Sequence, residues 1–135
     1  MTIETIFRVS YSDTDRMGFM HHSNYFKYFE TARWELFRNI GIPYTEIEEE
    51  GIILPVTESA VKYIYPALYD QEIRIATRIK SFRGARIEFE CRSINEAGAF
   101  INEASITVAC VNKRTGKACL PSKKMVTTLK ALINK

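Results

Sequence analysis

Between Tyr11 and Tyr25 the chain reads YSDTDRMGFMHHSNY, which brings two aspartates, a glycine and two adjacent histidines into one short polar stretch. Three kinds of chemistry suit these residue types. Asp13, Asp15, His21 and His22 are potential metal ligands, but adjacent histidines on a chain entering a helix point in different directions. Structural zinc sites also prefer cysteine and histidine sets at characteristic spacings. The stretch can instead be a polar connection, in which Asp13 closes a turn and the histidines are solvated or bonded to a backbone carbonyl. Or it can be catalytic. A helix N-terminus presents unpaired N–H groups and a partial positive charge, which polarise a carbonyl placed there and stabilise a developing oxyanion. Asp15 would then attack the carbonyl carbon or activate a water, and Gly18 would let the backbone approach a ligand closely. Serine and cysteine nucleophiles have no comparable setting: Ser12 and Ser23 lack a G-x-S-x-G context, and no cysteine lies near a histidine in the sequence. Spacing alone disfavours metal and leaves the connection and catalytic readings open.

The flanking elements must position these groups. Ile3, Thr5, Phe7, Val9 and Tyr11 alternate with Glu4 and Arg8, so a strand precedes the stretch. From Ser23 the period lengthens: Tyr25, Phe29, Ala32, Leu36 and Ile40, with Phe26, Arg33 and Phe37 beside them, form the broad apolar face of a helix. With Ser23 or Asn24 as its cap and Gly41 and Pro43 as its stop, that helix should run about 17 residues. A shorter helix is expected over Tyr44 to Glu50. Alternation then dominates, in strands expected over Ile52 to Tyr65, Gln71 to Phe82, Arg86 to Arg92 and Ala104 to Val111. Turn-rich links at Arg83-Gly84, Glu96 to Gly98 and Asn112 to Gly116 make them consecutive and antiparallel. Lys117 to Pro121 can add a last short strand, and Met125, Val126, Leu129 and Leu132 mark a C-terminal helix reaching to Lys135. The expected fold is α+β: an antiparallel sheet of five or six strands curled around one long helix.

Composition narrows the partners. At 135 residues the chain is expected to be a single domain, residues 1–135, without internal repeat or linker. Its 46% hydrophobic and 26% charged residues, with no apolar run near the length of a membrane span, describe a soluble globular protein that does not enter a membrane. No signal peptide is evident, so a cytoplasmic setting is expected. Cys91, Cys110 and Cys119 are odd in number and lack C-x-x-C spacing, which argues for buried thiols rather than disulfides or zinc ligands. The net charge of +3 is dispersed, which argues against nucleic acid and still suits an anionic small molecule.

The segment from Tyr11 to Gly41 resembles the signature of the 4-hydroxybenzoyl-CoA thioesterase family of hotdog-fold proteins. A D-x-D pair, a glycine three residues on, a histidine or tyrosine, N-Y and a helical E-x-A-R-x-E recur there. Here they are Asp13, Asp15, Gly18, His22, Asn24, Tyr25, Glu30, Ala32, Arg33 and Glu35. Tyr63 or Tyr65, Pro66, Ala67 and Asp70 match a second family stretch. The resemblance implies a central helix wrapped by an antiparallel sheet, in a homodimer or a homotetramer built as a dimer of dimers, with active sites at the dimer interface. It implies that Asp15 is the catalytic aspartate, that Gly18 is the loop glycine, and that His22 helps hold the thioester carbonyl. Tyr25 and Asn24 are read as structural. Phe19, Met20 and His21 depart from the small or aliphatic residues common there. Phe19 and Met20 should therefore reshape the acyl pocket, while His21 stays solvated or supports its neighbours.

The expected activity is hydrolysis of an acyl-CoA to a carboxylic acid and CoA, with no cofactor beyond the CoA of the substrate. Phosphates of CoA call for a cationic rim, for which Lys62, Lys80, Arg83 and Arg86 are candidates. Glu58 and Ser59 are candidates on the strand lining the second subunit's side of the site. The alternatives are an acyl carrier protein thioesterase and a non-catalytic module that binds acyl-CoA or fatty acid. A dehydratase of the same fold would need a histidine and acid arrangement not found here.

Overall fold

In the computed structural model, which describes residues 1–133, strands form where the sequence alternates and helices where its period lengthens. In chain order the elements are β1 (Thr2–Arg8), α1 (Tyr25–Asn39), α2 (Tyr44–Glu49), β2 (Ile52–Ile53), β3 (Val56–Tyr63) and β4 (Glu72–Arg83). They continue with β5 (Arg86–Asn95), β6 (Phe100–Ala109), β7 (Val111–Asn112) and α3 (Lys123–Ile133). Five strands make one antiparallel sheet in the order β1-β4-β5-β6-β3, and β2 pairs separately with β7.

Alternation sorts the two faces of the sheet. Ile73, Ile75 and Ile79 of β4, Ile87, Phe89 and Cys91 of β5, and Ala104, Ile106 and Val108 of β6 are buried on the helix side. Their neighbours on the other face pair across strands, Arg78 with Glu90 at 3.0 Å, Lys80 with Glu88 at 3.5 Å and Arg92 with Glu103 at 3.7 Å. Against the apolar face, α1 buries Tyr25, Tyr28, Phe29, Ala32, Leu36 and Phe37, and the Phe37 ring meets Phe89 edge-on at 5.6 Å. A fully buried side chain of this size contributes about 1.5–3 kcal/mol through removal from water. This is the hotdog arrangement that the resemblance implied, with α1 held against the sheet and its N-terminus next to the polar stretch.

Several boundaries differ from expectation. The first strand stops at Arg8, because Tyr11–Asp13 winds into a 3-10 turn. Helix α1 has 15 residues, since His22–Asn24 is a second 3-10 turn. Asn24 holds its N-cap position, as one of the two expected candidates, but makes no side-chain cap bond: its amide donates instead to the Asp13 carbonyl at 2.9 Å, and His21 caps the preceding 3-10 turn, with Nδ1 accepting the Ser23 N–H. The single strand expected from Ile52 to Tyr65 divides at Leu54-Pro55, because proline cannot donate to a ladder. Lys117 to Pro121 forms no strand and contributes one bridge, between Ala118 and Val111. Met125 and Leu129 of α3 are buried as expected, and the last two residues of that expected helix lie outside the described residues.

Burial pushes the Cys91 thiol up to about 11 and the Cys110 thiol up to about 12, whereas Cys119 is only half-buried. Among the described residues no helix is long and apolar enough to cross a membrane. Strands β1 and β3 are the sheet edges, and β3 is exposed at every position except Val61.

Candidate active site

After β1 the chain folds back on itself before entering α1, and named bonds hold each bend. The Gly18 N–H donates to the Asp15 carbonyl at 3.0 Å, and the Asp15 N–H donates to the Phe19 carbonyl at 2.9 Å. Gly18 has φ +81°, a conformation strained for a side-chain-bearing residue, although nothing lies within 4 Å of where a Cβ would sit. The demand for glycine is therefore conformational rather than steric. Beyond the turn, the Met20 N–H donates to the Ala67 carbonyl at 2.8 Å and Phe19 bridges to Leu68, which ties the loop to the segment after β3.

Asp13 secures the other side. It is 3% exposed, its Oδ1 accepts from Lys27 Nζ at 2.6 Å, and its Oδ2 accepts from the Tyr28 hydroxyl. Burial alone would push this carboxyl up, but the Lys27 and Tyr28 hydrogen bonds outweigh it and hold the group below its ordinary value. The Asp13 carbonyl also accepts from the His21 N–H at 2.8 Å and the Asn24 side chain. Asp13 thus locks the loop to α1 and has no oxygen to spare for chemistry.

Asp15 is placed differently. It is half-buried, and its Oδ1 accepts the Met17 N–H at 2.9 Å, while the second oxygen has no partner among the described residues. It lines a cleft of about 290 Å³ with Phe19, Met20 and His22 from the same loop. Tyr25, Tyr63, Ile64, Tyr65 and Pro66 form the opposite wall. His22 begins the 3-10 turn that leads into α1, and its backbone N–H makes no hydrogen bond to another described residue. The Tyr63 hydroxyl lies 3.4 Å from the His22 carbonyl, and the two rings meet edge-on at 6.2 Å. Asp15, with one carboxylate oxygen unpartnered among the described residues, His22, with an unbonded amide at the approach to a helix, and an aromatic wall therefore line one small space. That combination can hold a carbonyl, polarise it and attack it or deliver water to it. Among the described residues no cluster of three ligating side chains forms.

Other sequence candidates lie elsewhere. Glu58, Ser59 and Lys62 sit on exposed β3, with Lys62 in register with Glu103 of β6. Lys80 is engaged by Glu88. Arg83 and Arg86 face each other where β4 turns into β5, and β4 starts opposite Arg8, beside the polar loop. Arg83 is therefore about 35 Å away along the strand, at roughly 3.3 Å per residue. Within one chain none of these residues lines the Asp15 cleft. Sequence reading did not assign Tyr25 and the run Tyr63 to Pro66 to the wall. The available signal was an aromatic run directly after a strand, too apolar for an ordinary connection.

Comparison with known proteins follows the same lines. A family described as the thioesterase-like superfamily matches residues 9–129. An acyl-CoA thioester hydrolase, YbgC, of Shigella flexneri is 34% identical over 105 residues, covering 78% of each chain. An acyl-CoA thioesterase YbgC of Haemophilus influenzae is 33% identical over 106 residues, 78% of this chain and 77% of its own. Among solved structures, a DHNA-CoA thioesterase from Staphylococcus aureus superimposes with a TM-score of 0.91 at 27% identity, over 98% of this chain and 93% of that one. A protein from Thermus thermophilus does so with a TM-score of 0.91 at 28% identity, over 98% of both chains.

Proposed function

The chain belongs to the thioesterase-like superfamily, and from that premise we propose that it hydrolyses an acyl-CoA thioester to a free carboxylic acid and CoA at the Asp15 cleft. The observation that carries this reading is that Asp15 and His22 line the same cleft, one with a carboxylate oxygen and the other with a backbone N–H that bond to no other described residue. The thioester carbonyl oxygen accepts from the His22 N–H at the positive end of the helix, which draws electron density off the carbonyl carbon. The Asp15 oxygen then either attacks that carbon or takes a proton from a water that does. Either way the C–S bond breaks, the sulfur leaves as thiolate and is protonated to CoA, and water supplies the oxygen and proton that complete the acid. Phe19 and Met20, beside Asp15, shape the space for the first carbons of the acyl group. The deciding experiment is a thiol-release assay across short, long and aromatic acyl-CoAs, with acyl carrier protein thioesters in parallel. Absence of thiol release from every acyl-CoA would sink this reading, and release from the carrier protein alone would reassign the substrate.

The edge strand supports a second copy as partner. An exposed edge with free N–H and C=O groups templates another strand unless something covers it, and β3 carries Val56, Ala60 and Tyr63 along such an edge. Antiparallel pairing of β3 with its copy joins two sheets into one and brings Glu58, Ser59 and Lys62, which do not line the Asp15 cleft of their own chain, next to the second subunit. A dimer, or a tetramer made of two, is expected by sedimentation equilibrium at micromolar concentration. A monomer there would remove this reading and the roles of those three residues with it.

A further inference from the structure

A second cavity, of about 480 Å³, runs along α1 and holds a largely buried cation that bonds to no other described residue. Arg33 lines it and is only 8% exposed, yet it makes no hydrogen bond or ion pair with any described residue. Its guanidinium carbon lies 6.0 Å from the centre of the Phe89 ring, which supports one face of the group. Burying such a group is costly unless its donors are satisfied, and an arginine fork is shaped to receive oxygen acceptors. Glu30, exposed at the cavity wall, tempers the charge without bonding to it. Lys27, also at the wall, is bound by Asp13. The remaining walls are apolar and include Phe26, Leu54 and the stacked pair Trp34 and Tyr44, 5.4 Å apart.

The cavity and the Asp15 cleft share no lining residue, but consecutive residues line the two, Ser23 the cavity and His22 the cleft. From His22 to Arg33 the helix advances about 16 Å at 1.5 Å per residue, a distance that a medium-length acyl chain and the arginine side chain can cover together. We propose that the Arg33 cavity receives the distal end of the acyl group and selects chains that carry an oxygen acceptor there, a carboxylate or a hydroxyl. The inference rests on the acyl-CoA hydrolase reading and names the substrate class of that site.

The test compares hexanoyl-, octanoyl- and dodecanoyl-CoA with their omega-carboxy and omega-hydroxy counterparts. At the length that reaches Arg33, the wild type should favour an oxygen-tipped chain about tenfold or more in kcat/KM, the omega-carboxy form most strongly. Arg33→Met should erase that ratio and Arg33→Lys should keep part of it. A wild-type preference for the plain chain at every length, or a ratio unchanged in Arg33→Met, overturns the proposal. So does an Arg33→Met protein that falls to a smaller oligomer with its ratio intact, since the acceptor is then a group of the second copy. Alkyl-CoA thioethers, which cannot be hydrolysed, separate this inference from the one beneath it. Trp34 is the chain's single tryptophan and lines the cavity, so its fluorescence reports their binding. Tighter binding of omega-carboxyalkyl than of plain alkyl thioethers upholds the Arg33 subsite even if no thioester is turned over, and equal binding overturns it whatever the hydrolysis rate. This measurement needs only the wild type.

Discussion

Replacement of Asp15 by asparagine should lower acyl-CoA hydrolysis by about a thousandfold, the combined scale of a lost base or nucleophile. The substitution is nearly isosteric, and the amide oxygen can still accept the Met17 N–H that Oδ1 accepts at 2.9 Å. The turn closed by the Gly18 and Asp15 amides has no reason to open. What disappears is the negative oxygen without a partner, because a neutral amide neither attacks a carbonyl nor takes a proton from water. The measurement is thiol release under saturating acyl-CoA, with circular dichroism and sedimentation to show an unchanged fold and oligomer. Turnover near the wild-type rate in a well-folded Asp15→Asn protein would remove Asp15 from the chemistry. The His22 amide would then have to serve a different acid or base.

The second large effect is on stability, at Asp13. Asp13→Ala deletes both acceptors of a buried carboxylate and leaves the Tyr28 hydroxyl unpartnered inside, with Lys27 unpaired near it. A loss of about 1–3 kcal/mol is expected, toward the lower end for the Lys27 share because that side chain is largely exposed and screened. Activity should fall as well, since the same residue's carbonyl holds the His21 N–H just before His22. The pH dependence has a definite sign. The folded carboxyl lies below its ordinary value, so the ionised form favours the folded state. That contribution is complete above 3.8, the value of a free aspartate, and is lost as pH falls through the lower folded value. The gap in denaturation midpoint between wild type and Asp13→Asn should thus stay constant from neutrality down to about 3.8, narrow below it, and level off beneath the lower folded value. A gap that widens toward acid pH would show that Asp13 is not held as an ionised partner of Lys27 and Tyr28.

The helix and the sheet were legible in the sequence because their periods report which side chains share a face. Tyr25, Phe29, Ala32 and Leu36 could only be one stripe, and the isoleucines of β4 could only be one side of a strand. Boundaries were less legible where two local preferences compete. Ser23 and Asn24 are both good caps, and Asn24 does hold that position, yet its side chain turns toward the Asp13 carbonyl while His21 caps the 3-10 turn in front. Pro55 interrupts an alternating run that otherwise reads as continuous, and only its missing N–H explains the break. In the candidate site, type and spacing offered Asp15 and Gly18 for catalysis beside the reading of a polar connection, and the family resemblance added His22 and moved the weight to catalysis. Apart from Tyr25, the opposite wall comes from residues some forty positions later and depends on how β3 ends against the loop. Arg33 shows the same limit from the other side. A cation within an apolar stripe is visible in the sequence, but whether any acid reaches it depends on the fold.

The depth of Cys91 and Cys110 bears on how this protein can be handled. Thiol reagents act on thiolates, and two of the three cysteines are both buried and held well above their ordinary values, which leaves Cys119 as the accessible one. In a thiol-release assay the folded enzyme therefore adds little colour of its own against the CoA it liberates. The same pair amounts to an internal clock for unfolding. Cys91 lies in β5 beneath α1, and Cys110 follows β6 in the second half of the core, so the order in which they become reactive would show which end of the helix leaves the sheet first.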